Sequence, residues 1–517
     1  MSPSLRHIPI RHMGSSPTHL RYLEEDPELE PFLGQRPRNT ADLLRRAPAG
    51  ARRLVPPDAL SKALVNYSQQ HNAPKEVLDN AWLVAEGNVQ MVVTGQQPGL
   101  FGGPMYTVHK AATAVRLAQE LNAANSGPPI VPIFWNHTDD HDLDEVNRAS
   151  FVNNNLEVQR IRLDLLRGGQ PIRDVGVGHK LEEAIASISD LLPENEFRSW
   201  AIETFEPQTP DDHFGDGLTS LLYRLFGKFG LLVIEPRDLP PEAFEVLPRW
   251  WEQGTSIQNN IKSTIEVLLD LGLDLSMDPS STLMFEVHGN RRSPMAEGDQ
   301  VLSPLDLSPG AILRPLWQDA CLPTIASVVG PGELAYLSVA GPLYRQLGVP
   351  SPVLVPRASM TLVEPSLAKL LKRFGWDLSD LDVGPDQLAN RMTEGGSGSD
   401  EHDLEALMAK VDQELGNLIG TVQTTDPQIA RSASSTKKRV RDDLTKLLSK
   451  LRNSRKNREG TGTRQIRRVT SNLRPRGRPQ ERILTILPFM AAHGPALGDH
   501  LVGAADPFTA NHAILEL

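Results

Sequence analysis

Residues 92–145 constrain this chain more than any other stretch. They open with VVTGQQPGLFGGPMYTVHK and close with VPIFWNHTDDHDLDE. A short β-branched run, a Gly-rich turn and a helical segment lead to a second apolar run. That second run ends in consecutive carboxylates and histidines. Strand, turn, helix, strand is the βαβ unit of parallel sheets, whose ligands bind at the carboxyl ends of the strands. The pattern predicts strands at 91–93 and 130–135. It predicts a helix over about 105–121, with Val108, Ala112, Val115 and Leu117 on a buried face. The run 130–135 does not alternate in polarity, so it is expected to be buried on both faces.

Further strand-like runs at 231–235, 283–287 and 353–356 alternate with helical stretches at 217–229 and 251–271. This order argues for a mostly parallel α/β sheet. Charged, irregular pieces over about 150–310 read as insertions, including a hairpin that turns at Gly289-Asn290. After Pro365 the composition shifts. GGSGS at 395–399 reads as a flexible loop. Leu404, Leu407, Val411, Leu415, Leu418 and Val422 then recur at spacings of three and four. Val440, Leu444, Leu447 and Leu451 resume the pattern beyond Asp426-Pro427. Two such seams predict an antiparallel coiled-coil hairpin, interrupted at Gly460-Thr461-Gly462. The expected domains are a core over 1–365, a helical coiled coil over 366–475, and a segment 476–517 packing back on the core.

A length of 517 residues suggests two or three domains. The net charge of −11 argues against a general polyanion binder. Lys and Arg outnumber Asp and Glu between Arg431 and Arg482, but a basic helix face is usually just solvated. A nucleic-acid partner is therefore not expected. The single cysteine, Cys321, excludes an intrachain disulfide framework and a multi-cysteine zinc site. It reads as a small buried residue, since no base is identifiable beside it. No apolar run approaches the ~18 residues that span a bilayer. The opening MSPSLRHIPIRHMGSSP has no apolar h-region. A cytoplasmic protein without membrane contact is expected.

Three groups of residues carry chemistry. In the Gly-rich turn, Thr94, Gly95, Gln96, Gln97 and Gly103 offer close backbone approach and amide hydrogen bonds before a helix N-terminus that attracts anions. The spacing matches neither GxGxxG nor the Walker lysine pattern, and an ordinary strand-to-helix loop competes with the binding reading. His109 and Lys110 follow in the first turns of the helix, with Tyr106 on the face of His109. They are able to meet a phosphate, although helix charges are mostly solvated. The second group, Asp139, Asp140, His141 and Asp142, follows a buried strand. It suits a metal, a general base or a clamp for an ammonium group, against the bland reading of an acidic loop with an N-cap. The third spans 314–357. Arg314 and Arg357 match carboxylate or phosphate geometry, with structural ion pairs as the competing reading. Glu333 and Tyr336 share a helix face after the turn at 330–332, and Gln318 stands near Arg314.

These blocks occur in one order: TGQQPGLFGGPMYTVHK, FWNHTDDHDLDEVN, LRPLWQD, GPGELAY, VPR at 355–357 and PRGRPQER at 475–482. Together they resemble the cysteine ligase family of bacillithiol biosynthesis, the BshC type, over nearly the whole chain. One departure is Asp139, where the family usually carries Glu. The resemblance implies a Rossmann-like parallel core related to class I aminoacyl-tRNA synthetases, with inserted connecting segments and a coiled coil that pairs two subunits. It implies amide formation between cysteine and glucosaminyl malate, with ATP activating the carboxylate through an adenylate or an acyl phosphate. Under that reading Thr94, Gly95, Gln96, Gln97, Gly103 and Tyr106 would hold the nucleotide, and His109 and Lys110 would stabilise its phosphates. Asp140, His141 and Asp142 would bind the ammonium of cysteine or deprotonate the attacking amine. Asp139, Arg314, Gln318, Glu333, Tyr336 and Arg357 would hold substrate, and no metal is expected. The competing functions are a metal-dependent hydrolase built on the 139–142 loop, and a nucleotide-binding scaffold dimer.

Overall fold

The computed structural model describes residues 3–48, 54–124, 127–165, 168–273, 275, 282–394, 399–423 and 426–517. Residues 390–394, 399–401, 427 and 452–461 are described by their backbone alone. The Gly-Ser run at 395–398 lies outside the described residues. Two compact units emerge, one formed by 1–365 with 478–517 and the other by 366–477.

The first unit is organised by a five-stranded, all-parallel sheet. Its strands are β1 (Gln90–Gln96), β2 (Ile130–Asn136), β3 (Leu232–Ile234), β4 (Thr324–Val329) and β5 (Val353–Pro356). The spatial order is β5-β4-β1-β2-β3, the arrangement of a Rossmann-type sheet. Strands β1 and β2 pair in register from Gln90 opposite Ile130 to Gln96 opposite Asn136. All seven residues of β2 are buried, as its non-alternating sequence predicts. Strand β4 escapes the sequence reading. Its run TIASVV mixes Thr, Ala and Ser among the apolar residues, and it begins only three residues after a helix.

Helix α1 (Tyr106–Ala124) connects β1 to β2. At its end Asn122 donates to the Ile130 carbonyl at 2.7 Å and accepts from the Ile130 amide at 2.9 Å, tying the helix exit to the start of β2. Every residue from Thr107 to Val115 is buried, so the helix is enclosed on all sides near its N-terminus. Leu117, Ala118 and Leu121 pack with Val92, Ile130, Ile325 and Val353 on one sheet face. Helix α2 (Leu313–Cys321) precedes β4, and α3 (Glu333–Leu347) carries the chain from β4 to β5.

Three smaller sheets surround this core. Ser4–Pro9 runs antiparallel to Asn511–Glu516, which in turn runs parallel to Ser359–Val363. This sheet draws both ends of the chain beside β5. Arg148–Val152 and Val158–Arg162 form a hairpin. Met284–His288 pairs with Arg291–Pro294 and with Leu307–Pro309. The hairpin turn at Gly289 and Asn290 has φ of 50° and 64°, as a two-residue turn requires.

The second unit contains helices α4 (Ser399–Gln423) and α5 (Pro427–Leu473), which pack on each other. Lys437 donates to the Asp412 carbonyl at 2.9 Å across the pair. The backbone of α5 is helical through 460–462, so the expected interruption is absent; helix hydrogen bonding absorbs two glycines at a cost of ~1 kcal/mol each. Leu404 and Leu448 are buried, whereas Leu407, Leu418 and Leu447 are exposed. No helix among the described residues is long and apolar enough to cross a membrane.

Candidate active site

Strand order places a crevice between β1 and β4, where the chain leaves adjacent strands toward opposite sides. A cavity of 640 Å³ lies there. Thr94 to Gln97 at the end of β1, Ser327 to Gly330 at the end of β4, and Glu333 and Tyr336 of α3 line it. Thr94 donates to the Val328 carbonyl at 2.8 Å and so locks the two strand ends together. Gly95 has no alternative here: a Cβ would stand 2.7 Å from the Trp135 carbonyl oxygen and 2.8 Å from His137 Nε2.

Lys110 points back from α1 under this turn. Its Nζ donates to the Gly95 carbonyl at 2.7 Å, to Gln96 Oε1 at 2.9 Å and to Glu333 Oε1. Lys110 is 2% exposed, and Glu333 also accepts from the Gly330 amide. Burial lowers the Lys110 pKa, and Glu333 opposes that shift. The lysine expected to be a solvated or phosphate-facing charge is thus the centre of a polar ring that fixes the strand ends around the cavity.

The 137–142 loop does not act as a cluster. Consecutive side chains of an extended turn point in different directions, and each finds a separate partner. Asp139 is buried behind the cavity wall, accepting from Ser308 at 2.9 Å. Asp140 alone of the four acidic and histidine candidates lines the cavity. It accepts from Gln97 at 2.9 Å and from Arg314 at 3.0 Å. Burial would raise its pKa, but Arg314 and Arg292 hold its carboxyl well below the usual range. His141 meets Arg292 at 2.8 Å, outside the cavity lining. Asp142 is exposed and caps the short helix Leu143–Val146 through the Asp144 amide at 3.1 Å. Among the described residues, no group of three His, Cys, Asp or Glu side chains would hold a metal ion. The residue that the loop does send into the cavity is His137. Its Nδ1 is buried without a hydrogen-bond partner. Burial, then Arg314 and Lys110, hold its pKa well below 6.5, so the ring is neutral near pH 7.

The far wall is built on a buried anion. Glu481 accepts from Arg357 Nη2 at 2.7 Å and Nη1 at 2.9 Å, from Ser359 at 2.9 Å and from the Met360 amide at 2.9 Å. His109 Nδ1 completes this set at 3.0 Å. Burial opposes the Glu481 charge, but Arg357 and His109 hold its pKa well below the carboxylate range. His109 is 0% exposed and does not line the cavity. As placed it faces Glu481 rather than the cavity where a phosphate was expected; it braces Glu481, which braces Arg357. Arg314 and Arg357 do line the cavity, yet each is neutralised by a protein carboxylate.

The arginines without such a partner are Arg478 and Arg482, which form no ion pair among the described residues. They stand where the main cavity meets a second one of 270 Å³. Gln96, Gln97, Tyr106 and Glu145 line both. Gly103, expected at the nucleotide, lines only the second, together with Thr107 at the start of α1 and with Arg148 and Arg160. Burial, then Arg357, lowers the Arg482 pKa, a sign of crowded positive charge. Gln318 lines the main cavity, and so do two residues that sequence reasoning missed, Asp319 and Ser327. Glu481 and Arg482 had a sequence signal in PRGRPQER, but nothing local to say which residues they would meet.

A Rossmann-type α/β protein with a charge-rich cavity at its switch point and a separate helical-hairpin unit is the class this geometry defines. The family models agree with both parts. Residues 4–302 and 298–358 match the N-terminal Rossmann-like domain of bacillithiol biosynthesis BshC, and residues 360–517 match its C-terminal coiled-coil domain. The chain belongs to the BshC family. A curated relative from Heliobacterium modesticaldum, named "Putative cysteine ligase BshC", is 28% identical over 499 residues, covering 88% of each chain. Relatives of the same name from Salinibacter ruber and Koribacter versatilis are 26% and 29% identical. They cover 91% and 87% of this chain, and 90% and 88% of their own.

Proposed function

We propose that the protein is a ligase that joins the carboxylate of cysteine to the amino group of glucosaminyl malate, with nucleotide-dependent activation, in bacillithiol biosynthesis. One observation supports this most strongly. The 640 Å³ cavity shares its lining with a 270 Å³ cavity, and Arg478 and Arg482, which form no ion pair among the described residues, line both. Pockets of ~300–1,000 Å³ accommodate small-molecule ligands. An anionic substrate group fits the arginine-rich end, where Arg478 and Arg482 have charge to spare. The malate carboxylates suit it, and so do nucleotide phosphates at the start of α1.

Amide formation needs two things from the chain. The reacting carboxylate must be held while its oxygen becomes a leaving group, and Lys110, whose three protons go to Gly95, Gln96 and Glu333, fixes the strand ends that would hold it. The attacking amine must lose a proton, and His137 is neutral with one ring nitrogen uncommitted. A nucleotide supplies the driving force for activation, with Thr94 to Gln97 and Tyr106 positioned to contact it. Kinship of the core with class I aminoacyl-tRNA synthetases would suit this chemistry. The exposed Leu407, Leu418 and Leu447 would seat a second copy in a homodimer, and the setting is cytoplasmic.

The test is coupling. Release of AMP or ADP should require cysteine, and should rise further when glucosaminyl malate is added. Nucleotide turnover indifferent to both would refute the ligase reading. The hydrolase reading has less support, because residues 139–142 diverge rather than converge.

A further inference from the structure

The lining of the main cavity also includes Val93, Ser327, Asp319, Tyr344, Leu337 and Leu354. Asp319, on α2, is 5% exposed. It accepts from the Tyr344 hydroxyl of α3 at 2.6 Å, and Gln318 Nε2 stands at 3.4 Å. These donors, and the Thr324 hydroxyl that also neighbours the carboxylate, are neutral. No cation forms an ion pair with Asp319 among the described residues: Lys110 is held by Glu333 and Arg314 by Asp140. A buried carboxylate without a counter-ion is costly and seeks a cation. In the lining of the same cavity, the Ser327 hydroxyl is buried without a hydrogen-bond partner, on a residue 8% exposed. An acceptor charge, an unpaired hydroxyl and small apolar neighbours therefore share one compartment.

From this juxtaposition we infer that Asp319, with Ser327 and Tyr344, forms the subsite that binds the α-ammonium group of the amino-acid substrate. The inference rests on the ligase reading for the identity of that substrate as cysteine. Two consequences follow. The ammonium stays protonated and so is not nucleophilic, which leaves the sugar amine as the attacking group. The thiol side chain, small and weakly polar, meets Val93, Leu337 and Leu354. Asp319 is a specificity-determining residue in this account, because it selects a ligand that carries a free amino group.

Equilibrium binding to the full chain tests this with two probes, cysteine and 3-mercaptopropionate, which lacks the amino group. Asp319→Asn should weaken cysteine by about 30-fold or more, in line with a lost charged hydrogen bond, and leave 3-mercaptopropionate within about twofold. Ser327→Ala removes a hydroxyl with no structural partner and should weaken cysteine alone by about three- to tenfold, which keeps the test decisive even if the Asp319 variant folds poorly. Cysteine binding unchanged in both variants would overturn the subsite while leaving the ligase reading intact. An equal loss for both probes would assign these residues a structural role and overturn it too. Wild-type protein that binds neither probe would refute the cysteine-ligase reading itself, and the subsite's assignment with it.

Discussion

Arg357 and Glu481 form a buried bidentate ion pair, with nitrogen–oxygen distances of 2.7 and 2.9 Å. It joins the residue that follows β5 to a segment more than a hundred residues later. Each side chain is under 6% exposed, so the pair is desolvated. Breaking such a pair from one side strands the other charge, at a cost of about 3–5 kcal/mol. Glu481→Ala should therefore lower unfolding free energy by that order in urea titration. Glu481→Gln should lose less, because its amide oxygen still accepts a hydrogen bond. A Glu481→Ala loss under about 1 kcal/mol would show that the pair does not anchor the segment.

Lys110 and His109 are neighbours in sequence but differ in role. Lys110→Met removes the cation that donates to the Gly95 carbonyl, and kcat should fall by about a hundred- to a thousandfold. His109→Gln keeps a hydrogen bond to Glu481, and ligation should stay within about fivefold of wild type while thermal stability falls. Equal loss of ligation in both variants would contradict this division.

The two aspartates of the loop should also separate. Asp140→Asn removes the charge that pairs with Arg314 inside the cavity, and kcat/KM should fall by about a hundredfold. Asp142→Asn retains an N-cap oxygen on an exposed residue, and activity should not change measurably. A steady-state comparison of the two decides whether the cavity lining, rather than the acidic sequence, marks the functional residues.

Asp319 makes a prediction about pH. Burial raises its pKa from 3.8 to about 6, and the Tyr344, Thr324 and Gln318 hydrogen bonds only partly offset this. The other titratable groups facing it, Tyr344 and Cys321, both have pKa values raised above their ordinary ranges by burial, so neither ionises in this range. The folded state holds the Asp319 proton more tightly than the unfolded state does. This contribution to stability is present below about pH 4 and is lost as pH rises through 6, by about 3 kcal/mol in all. Asp319→Asn should remove that slope from the stability profile. Cysteine binding should run the other way, weakening below pH 6 as protons compete with the ammonium. A wild-type profile matched by the variant's would contradict the assignment.

What the sequence made legible followed local rules. Strands β1, β2 and β5 are short β-branched or apolar runs, and the Gly289-Asn290 turn carries its own conformational signature. Strand β4 escapes because all six of its residues are buried, Ser327 against the cavity, so no period appears. Site residues divided in the same way. Lys110, Asp140, Glu333 and Gly95 sit in dense local motifs and do meet at the cavity. Asp139, His141 and Asp142 were read with Asp140 because they adjoin it, but adjacency along a turn sends side chains apart. His109 reads as a surface residue until its partner Glu481, 372 residues away, is brought beside it. Asp319 looked like any helix acid, because only the packing of α3 shows that it lacks a cation.

The central claim is that the cavity between β1 and β4 joins a cysteine carboxylate to a sugar amine. The most direct measurement incubates the full chain with ATP, cysteine and glucosaminyl malate and follows the products by mass spectrometry. The account predicts the cysteinyl amide of glucosaminyl malate, formed only when all three are present and reduced about a hundredfold or more by Lys110→Met. Wild-type protein that binds cysteine and nucleotide yet yields no amide, or that hydrolyses the nucleotide without joining the two, would contradict it.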